Sequence, residues 1–192
     1  MKRFLLYFAG LVLLLSQSSC GYNSMVEKDQ AVQAQWAAVQ SAYQRRSDLI
    51  PNLVNTVKGA ANFEKSTLTE VVEARAKASS VQLNADQLTP ENIEKFQAAQ
   101  SQLSSGLGRL LAVSENYPEL KANANFQELQ SQIEGTENRI NVERNRFNDV
   151  TRDYNTYIRS FPNNLFAGMF KFSEKPYFKA DAAAEKAPTV QF

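Results

Sequence analysis

Few residues in this chain have the types and spacing for chemistry. They are Cys20, the run Arg45, Arg46 and Asp48 with Asn52 one helical turn further on, and the glutamates Glu64, Glu70, Glu73, Glu134, Glu137 and Glu143. Carboxylates on neighbouring helices can bridge metal ions, but the bundles that do so complete their sites with Glu-x-x-His, and histidine is absent here. The same absence, with a single cysteine, removes the usual triad bases, the commonest zinc ligands and any intramolecular disulfide. Only a carboxylate or lysine mechanism would remain, so no enzymatic activity, cofactor or metal is expected, and the glutamates read as solvated helix faces. Arg45, Arg46 and Asp48 admit one specific alternative, an interhelical pocket that receives an anionic ligand. Nucleic acid is not expected: 21 basic residues face 20 acidic ones, and no basic run interleaves with aromatics.

Cys20 takes its meaning from what precedes it. Lys2 and Arg3 lead an apolar run from Phe4 to Leu15, followed by Ser16, Gln17, Ser18 and Ser19. A charged start, an apolar stretch and small residues make an export signal, and the stretch is well short of the roughly 20 residues that cross a bilayer as a helix. Residues 1–19 therefore read as a signal segment. Ser18, Ser19 and Cys20 resemble the end of a bacterial lipobox, where cleavage leaves a cysteine that carries lipid such as palmitate; Gln17 departs from the aliphatic residue that pattern prefers. Besides an incidental buried thiol, an uncleaved membrane anchor is the competing reading. Either places the bulk of the chain on the exported side of a bacterial membrane, the periplasmic side in a Gram-negative cell.

The remaining chain must supply the frame. Seven Gly and six Pro against many Ala, Gln, Glu, Leu, Lys and Arg favour helix. Apolar residues recur every three or four positions in three segments. The first seam runs Met25, Asp29, Val32, Trp36, Val39, Tyr43, Arg46, Ile50, Leu53, Val57 and Ala60, and continues through Leu68 and Val71. The second runs from Ile93 through Phe96, Gln100, Leu103, Leu107, Leu110 and Ser114 to Tyr117. The third runs Phe126, Leu129, Ile133, Thr136, Ile140, Glu143, Phe147, Val150, Tyr154, Tyr157 and Phe161. Such seams need partners, which predicts an all-α fold: an elongated antiparallel bundle of three to four long helices with coiled-coil-like packing over residues 20–162. Residues 163–192 lack a seam and form a C-terminal tail, whose Phe166, Phe170 and Phe172 are expected to dock on the bundle.

Two features interrupt the pattern. Pro51 lies mid-seam, which predicts a kink or a break, with one helix ending near Asp48 and another starting at Pro51. Arg46 and Glu143 occupy seam positions where a charge is costly unless paired; they are candidates to pair with each other, or to snorkel to the bundle edge. Asn148 and Asn155, a heptad apart, are candidates for buried amides that fix register.

Several short blocks together resemble the LemA family of bacterial envelope proteins. They are Tyr22-Asn23-Ser24-Met25-Val26, the stretch from Arg45 to Val54, Thr56-Val57-Lys58-Gly59, Tyr117-Pro118-Glu119-Leu120-Lys121-Ala122-Asn123, Thr136-Glu137-Asn138-Arg139-Ile140, Tyr154-Asn155, Phe161-Pro162-Asn163-Asn164, and Lys175-Pro176-Tyr177-Phe178. The resemblance implies a helical bundle on a membrane anchor without established enzymatic activity. It also implies envelope proteins as partners, among them a TPM-domain protein or a membrane metalloprotease. A lipid-anchored scaffold or adaptor is the function expected. A ligand-sensing bundle and a self-assembling structural envelope protein are the alternatives.

Overall fold

The computed structural model describes residues 2–59 and 63–179, with side chains from Gly21 onward. Cys20, where lipidation is expected, lies outside the residues whose side chains are described, as does the tail beyond Lys179. Six α-helices form, and no strand occurs among the described residues: α1 (Lys2–Lys58), α2 (Lys65–Ser80), α3 (Pro90–Ser114), α4 (Pro118–Lys121), α5 (Ala124–Arg159) and α6 (Asn163–Met169). A short 3-10 turn, Ala85–Gln87, precedes α3. The chain divides into two compact units, one of Met1–Gln44 with Asn138–Lys175, the other of Arg45–Glu137 with Pro176–Phe192.

Local chemistry sets the helix starts. Thr89 Oγ1 accepts the Asn92 N–H at 3.2 Å, and Pro90 occupies the first helical position of α3, where its missing N–H costs nothing. Asn123 caps α5 in the same way, its Oδ1 accepting the N–H groups of Asn125 and Phe126 at 3.0 and 3.2 Å. At the end of α6 the Phe172 N–H reaches the Ala167 carbonyl at 2.9 Å, and Lys171 adopts a φ of 60°. This is a Schellman closure with lysine in the left-handed position that glycine usually fills.

In the first unit α1 and α5 run in opposite directions. Lys28 Nζ lies 5.5 Å from the Tyr157 ring centroid, and the Trp36 and Phe147 rings meet edge to face at 5.6 Å. Met25, Val32, Trp36 and Val39 of α1 and Ile140, Phe147, Tyr154 and Ile158 of α5 are all buried. In the second unit α2 runs against α3: Glu70 pairs with Arg109 at 2.8 Å and Lys77 Nζ donates to Gln102 at 2.9 Å. Between these contacts Gly106 brings the helices close, since a Cβ there would sit 3.6 Å from Val71 Cγ2. The core of this unit gathers Ile50, Leu53, Val57, Leu68, Val71, Leu103, Leu107, Leu110, Phe126 and Ile133.

The structure corrects the reading of the first segment. No helix ends near Asp48; α1 continues through Pro51 to Lys58, and the break falls after it, so Leu68 and Val71 belong to the separate helix α2. A proline in a helix interior costs about 3 kcal/mol when the carbonyl four residues back loses its donor and nothing replaces it. Here that carbonyl is Ser47, and Arg75 of α2 donates to it through Nε at 2.9 Å. Ser47 Oγ also lies 3.4 Å from Ser79 Oγ. The proline thus frees an acceptor that α2 uses for docking. Arg75→Ala is expected to cost about 1.5–3 kcal/mol, as for a hydrogen bond from a charged donor. The cost should shrink in a Pro51→Ala background, where the new N–H serves Ser47. Urea titration of the double-mutant cycle checks this; equal costs in both backgrounds would break the link.

Candidate functional site

Each of the two buried charged residues on the seams anchors a polar cluster. Arg46, on α1 in the second unit, is 1% exposed. Its Nη1 donates to Glu137 Oε2 at 2.7 Å and Ser104 Oγ at 2.6 Å, and its Nη2 donates to Gln100 Oε1 at 2.8 Å. One planar guanidinium thereby joins α1, α3 and α5, a task suited to its fixed fork of donors. Glu143, on α5 in the first unit, is also buried. Its Oε2 accepts Gln35 Nε2 of α1 at 2.7 Å, and it forms ion pairs within α5 with Arg139 Nε at 2.6 Å and Arg146 Nη1 at 3.5 Å. The candidate Arg46–Glu143 pair does not form, and each residue finds its partners within its own unit. Arg46 does not snorkel either.

The other sequence candidates fall elsewhere. Arg45, Asp48 and Asn52 lie on exposed positions of α1, while Arg46 turns inward, so the four do not converge on one point. Among the glutamates, Glu70 and Glu137 are ion-paired, and Glu134 accepts from Gln130 one turn back at 3.1 Å.

A second arrangement concerns the tail, which has no regular secondary structure from Ser173 to Lys179. In the first unit the buried Asn155 amide grips the backbone of Lys175 twice: Oδ1 accepts its N–H at 2.9 Å and Nδ2 donates to its carbonyl at 2.8 Å. Gln97 of α3 does the same to Lys179 in the second unit, at 3.3 and 2.8 Å. Phe178, next to that clamp, is buried. An amide is the side chain that can donate and accept together, which a carboxylate cannot do. Asn155→Asp is therefore expected to free the tail near Lys175, because the carboxylate faces a carbonyl. Faster hydrogen exchange at Lys175, with α5 unchanged, is the expected signature; unchanged protection would refute the clamp.

Beside Asn155, Tyr154 donates its hydroxyl to the Ser173 carbonyl at 3.0 Å. Lys175 Nζ reaches Asp29 Oδ1 at 3.2 Å and lies 5.9 Å from the Tyr154 ring centroid. Burial, and secondarily the Asp29 charge, push the Tyr154 pKa up to about 12. A phenol whose folded pKa is raised holds its proton more firmly when folded, so its contribution is fully present below pH 10 and is lost as pH climbs through about 12. Stability should fall by roughly 2–3 kcal/mol over that window. Tyr154→Phe should remove this alkaline step in denaturation measured from pH 8 upward.

The sequence profile of the LemA family matches residues 35–192, the stretch that holds both charged clusters and both tail clamps. The chain belongs to the LemA family. Protein LemA of Metamycoplasma hominis is 25% identical over 158 residues, covering 82% of this chain and 68% of that protein. Magnetosome protein MamQ 2 of Paramagnetospirillum magneticum is 28% identical over 182 residues, covering 85% and 66%. Magnetosome protein MamQ of Magnetospirillum gryphiswaldense is 24% identical, covering 91% and 71%. The chain thus spans about two thirds of the length of these relatives. LemA membership fits an envelope-associated protein, and no enzyme family is indicated. Among the described residues no helix is long and apolar enough to cross a membrane.

Sequence reasoning missed Gln97 and Gln100 as functional amides. The signal for Gln100 was present, since it is a polar residue on the second seam just as Arg46 is on the first. Gln97 lies off its seam, and nothing in the spacing links it to Lys179.

Proposed function

We propose that this LemA-family chain is a lipid-anchored envelope protein that works as a scaffold or adaptor, an antiparallel helical bundle held to the membrane at Cys20 and presenting its helix faces to other envelope proteins. One observation carries the reading. The hydrogen bonds of Arg46, the cation buried in the seams, go to joining helices, since Gln100 and Ser104 of α3 and Glu137 of α5 all engage it. Such groups act as fasteners of a frame and leave its outer faces for recognition. The arrangement disfavours the ligand pocket, because an anion at Arg46 would have to displace three bonded partners.

Affinity capture from native membranes tests the proposal. A TPM-domain protein or a membrane metalloprotease should co-purify with the wild-type chain. Thermal stabilisation of the purified chain by an anionic metabolite, with no envelope protein captured, would replace the scaffold by a ligand sensor.

A further inference from the structure

The largest exposed apolar side chains of the first unit gather beside the start of its described side chains. Phe161 is 80% exposed, Leu165 62%, Met169 72% and Phe170 48%. Phe170 and Phe172 both stack edge to face on Tyr22, at 4.9 and 5.9 Å. The start of α6 lies against the same end of α1, since a Cβ on Gly21 would be 3.3 Å from Asn163 Oδ1. Leu15, the last residue of the apolar N-terminal run, precedes Gly21 by six positions, about 9 Å along the helix α1 at 1.5 Å per residue. An exposed apolar cluster in water calls for a covering partner.

We propose that α6 and its flanks form an apolar foot that seats in the lipid surface beside the membrane anchor, with Phe161, Leu165, Met169 and Phe170 entering the acyl boundary. The inference rests on reading the N-terminal run and Cys20 as that anchor. Continuity selects lipid as the occupant, because the segment that precedes Gly21 is itself apolar and delivers this end of the chain to a bilayer. Composition agrees. From Phe161 to Phe172 there is no acidic residue and one cation, Lys171. That lysine occupies a left-handed position where glycine would sit without strain. A long cationic side chain there can snorkel to lipid phosphates while its neighbours enter the apolar layer. Tyr22, half-exposed at the same level, suits the headgroup zone.

The test uses the full-length, unprocessed chain reconstituted in phosphatidylethanolamine–phosphatidylglycerol vesicles with brominated acyl chains, and reads tryptophan emission. Buried Trp36 gives the constant background. Leu165→Trp and Met169→Trp report on the foot, Phe8→Trp on the anchor, and Val142→Trp, 44% exposed and about 25 Å from the end of α5, is the control. The foot predicts a blue shift and loss of intensity at 165 and 169 and neither at 142. Unquenched emission at 165 and 169 with quenching at 8 overturns the foot and keeps the anchor. Quenching at 165 and 169 without quenching at 8 keeps the foot and overturns the anchor, and no quenching at any of the three overturns both. A blue shift at 165 and 169 without quenching that grows with protein concentration assigns the patch to a second copy and also overturns the foot.

Discussion

Arg46→Ala is expected to lower the unfolding free energy by about 3–5 kcal/mol, the range for breaking a buried charge pair by removing one partner. With a shift of roughly 2–4 °C per kcal/mol for a chain of this size, the melting temperature should drop by about 10 °C. The asymmetry of the pair sharpens the expectation. Arg46 is 1% exposed whereas Glu137 is 43% exposed, so the arginine bears nearly all of the desolvation. Truncation leaves a long cavity and strands the buried Gln100 oxygen that faced the guanidinium. Glu137→Gln keeps an acceptor for Nη1 and removes only the charge, which should cost about 1–2 kcal/mol. Arg46→Lys keeps the charge but loses the fork that reaches Gln100, Ser104 and Glu137 together, and should fall between the two. Arg46→Met combined with Gln100→Leu should recover part of the loss, since apolar pairs of similar volume often match a buried polar one. Urea denaturation followed by circular dichroism reads the series. An Arg46→Ala protein within about 0.5 kcal/mol of wild type, the usual range of a surface substitution, would show that the cluster fastens nothing.

Trp36→Ala should cost a similar amount, about 3–5 kcal/mol, in the first unit. The ring is buried and meets Phe147, itself fully buried, edge to face at 5.6 Å. Alanine removes the transferred apolar surface and leaves a cavity that two long helices cannot collapse to fill. Phe147→Ala should cost about as much, and the double mutant should be less destabilised than the sum by about 1 kcal/mol, the worth of an aromatic pair beyond its area. Circular dichroism is the readout, because Trp36 is the only tryptophan. Strict additivity would mean that the two rings fill space independently.

Much of this frame could be read from spacing alone. Second-seam positions from Ile93 to Ser114 are buried, as are Met25, Val32, Trp36 and Val39 on the first seam and Ile133, Ile140, Phe147 and Tyr154 on the third. A period near 3.6 encodes which face is covered, so it survives whatever covers it. It does not encode the partner. Glu137 read as part of a solvated helix face, and its pairing with Arg46 depends on the registers of α1, α3 and α5 together. The break expected at Pro51 fails for the same reason: the donor that serves Ser47 comes from Arg75, in the following helix α2. The tail clamps act on backbone outside any helix, which carries no apolar period, so spacing pointed to Asn155 but not to its contact with Lys175 or to Gln97.

The central claim is that this LemA-family chain acts through its exposed faces while tethered to a membrane. Photo-crosslinking residues placed at Val72 on α2 and Val142 on α5, both exposed apolar positions, would test it in the native cells, with Cys20→Ala alongside the wild type. Reproducible capture of one identified envelope protein, lost in Cys20→Ala, is the predicted result. Capture of only further copies of the same chain, or of nothing, or capture indifferent to Cys20→Ala, would contradict a tethered scaffold.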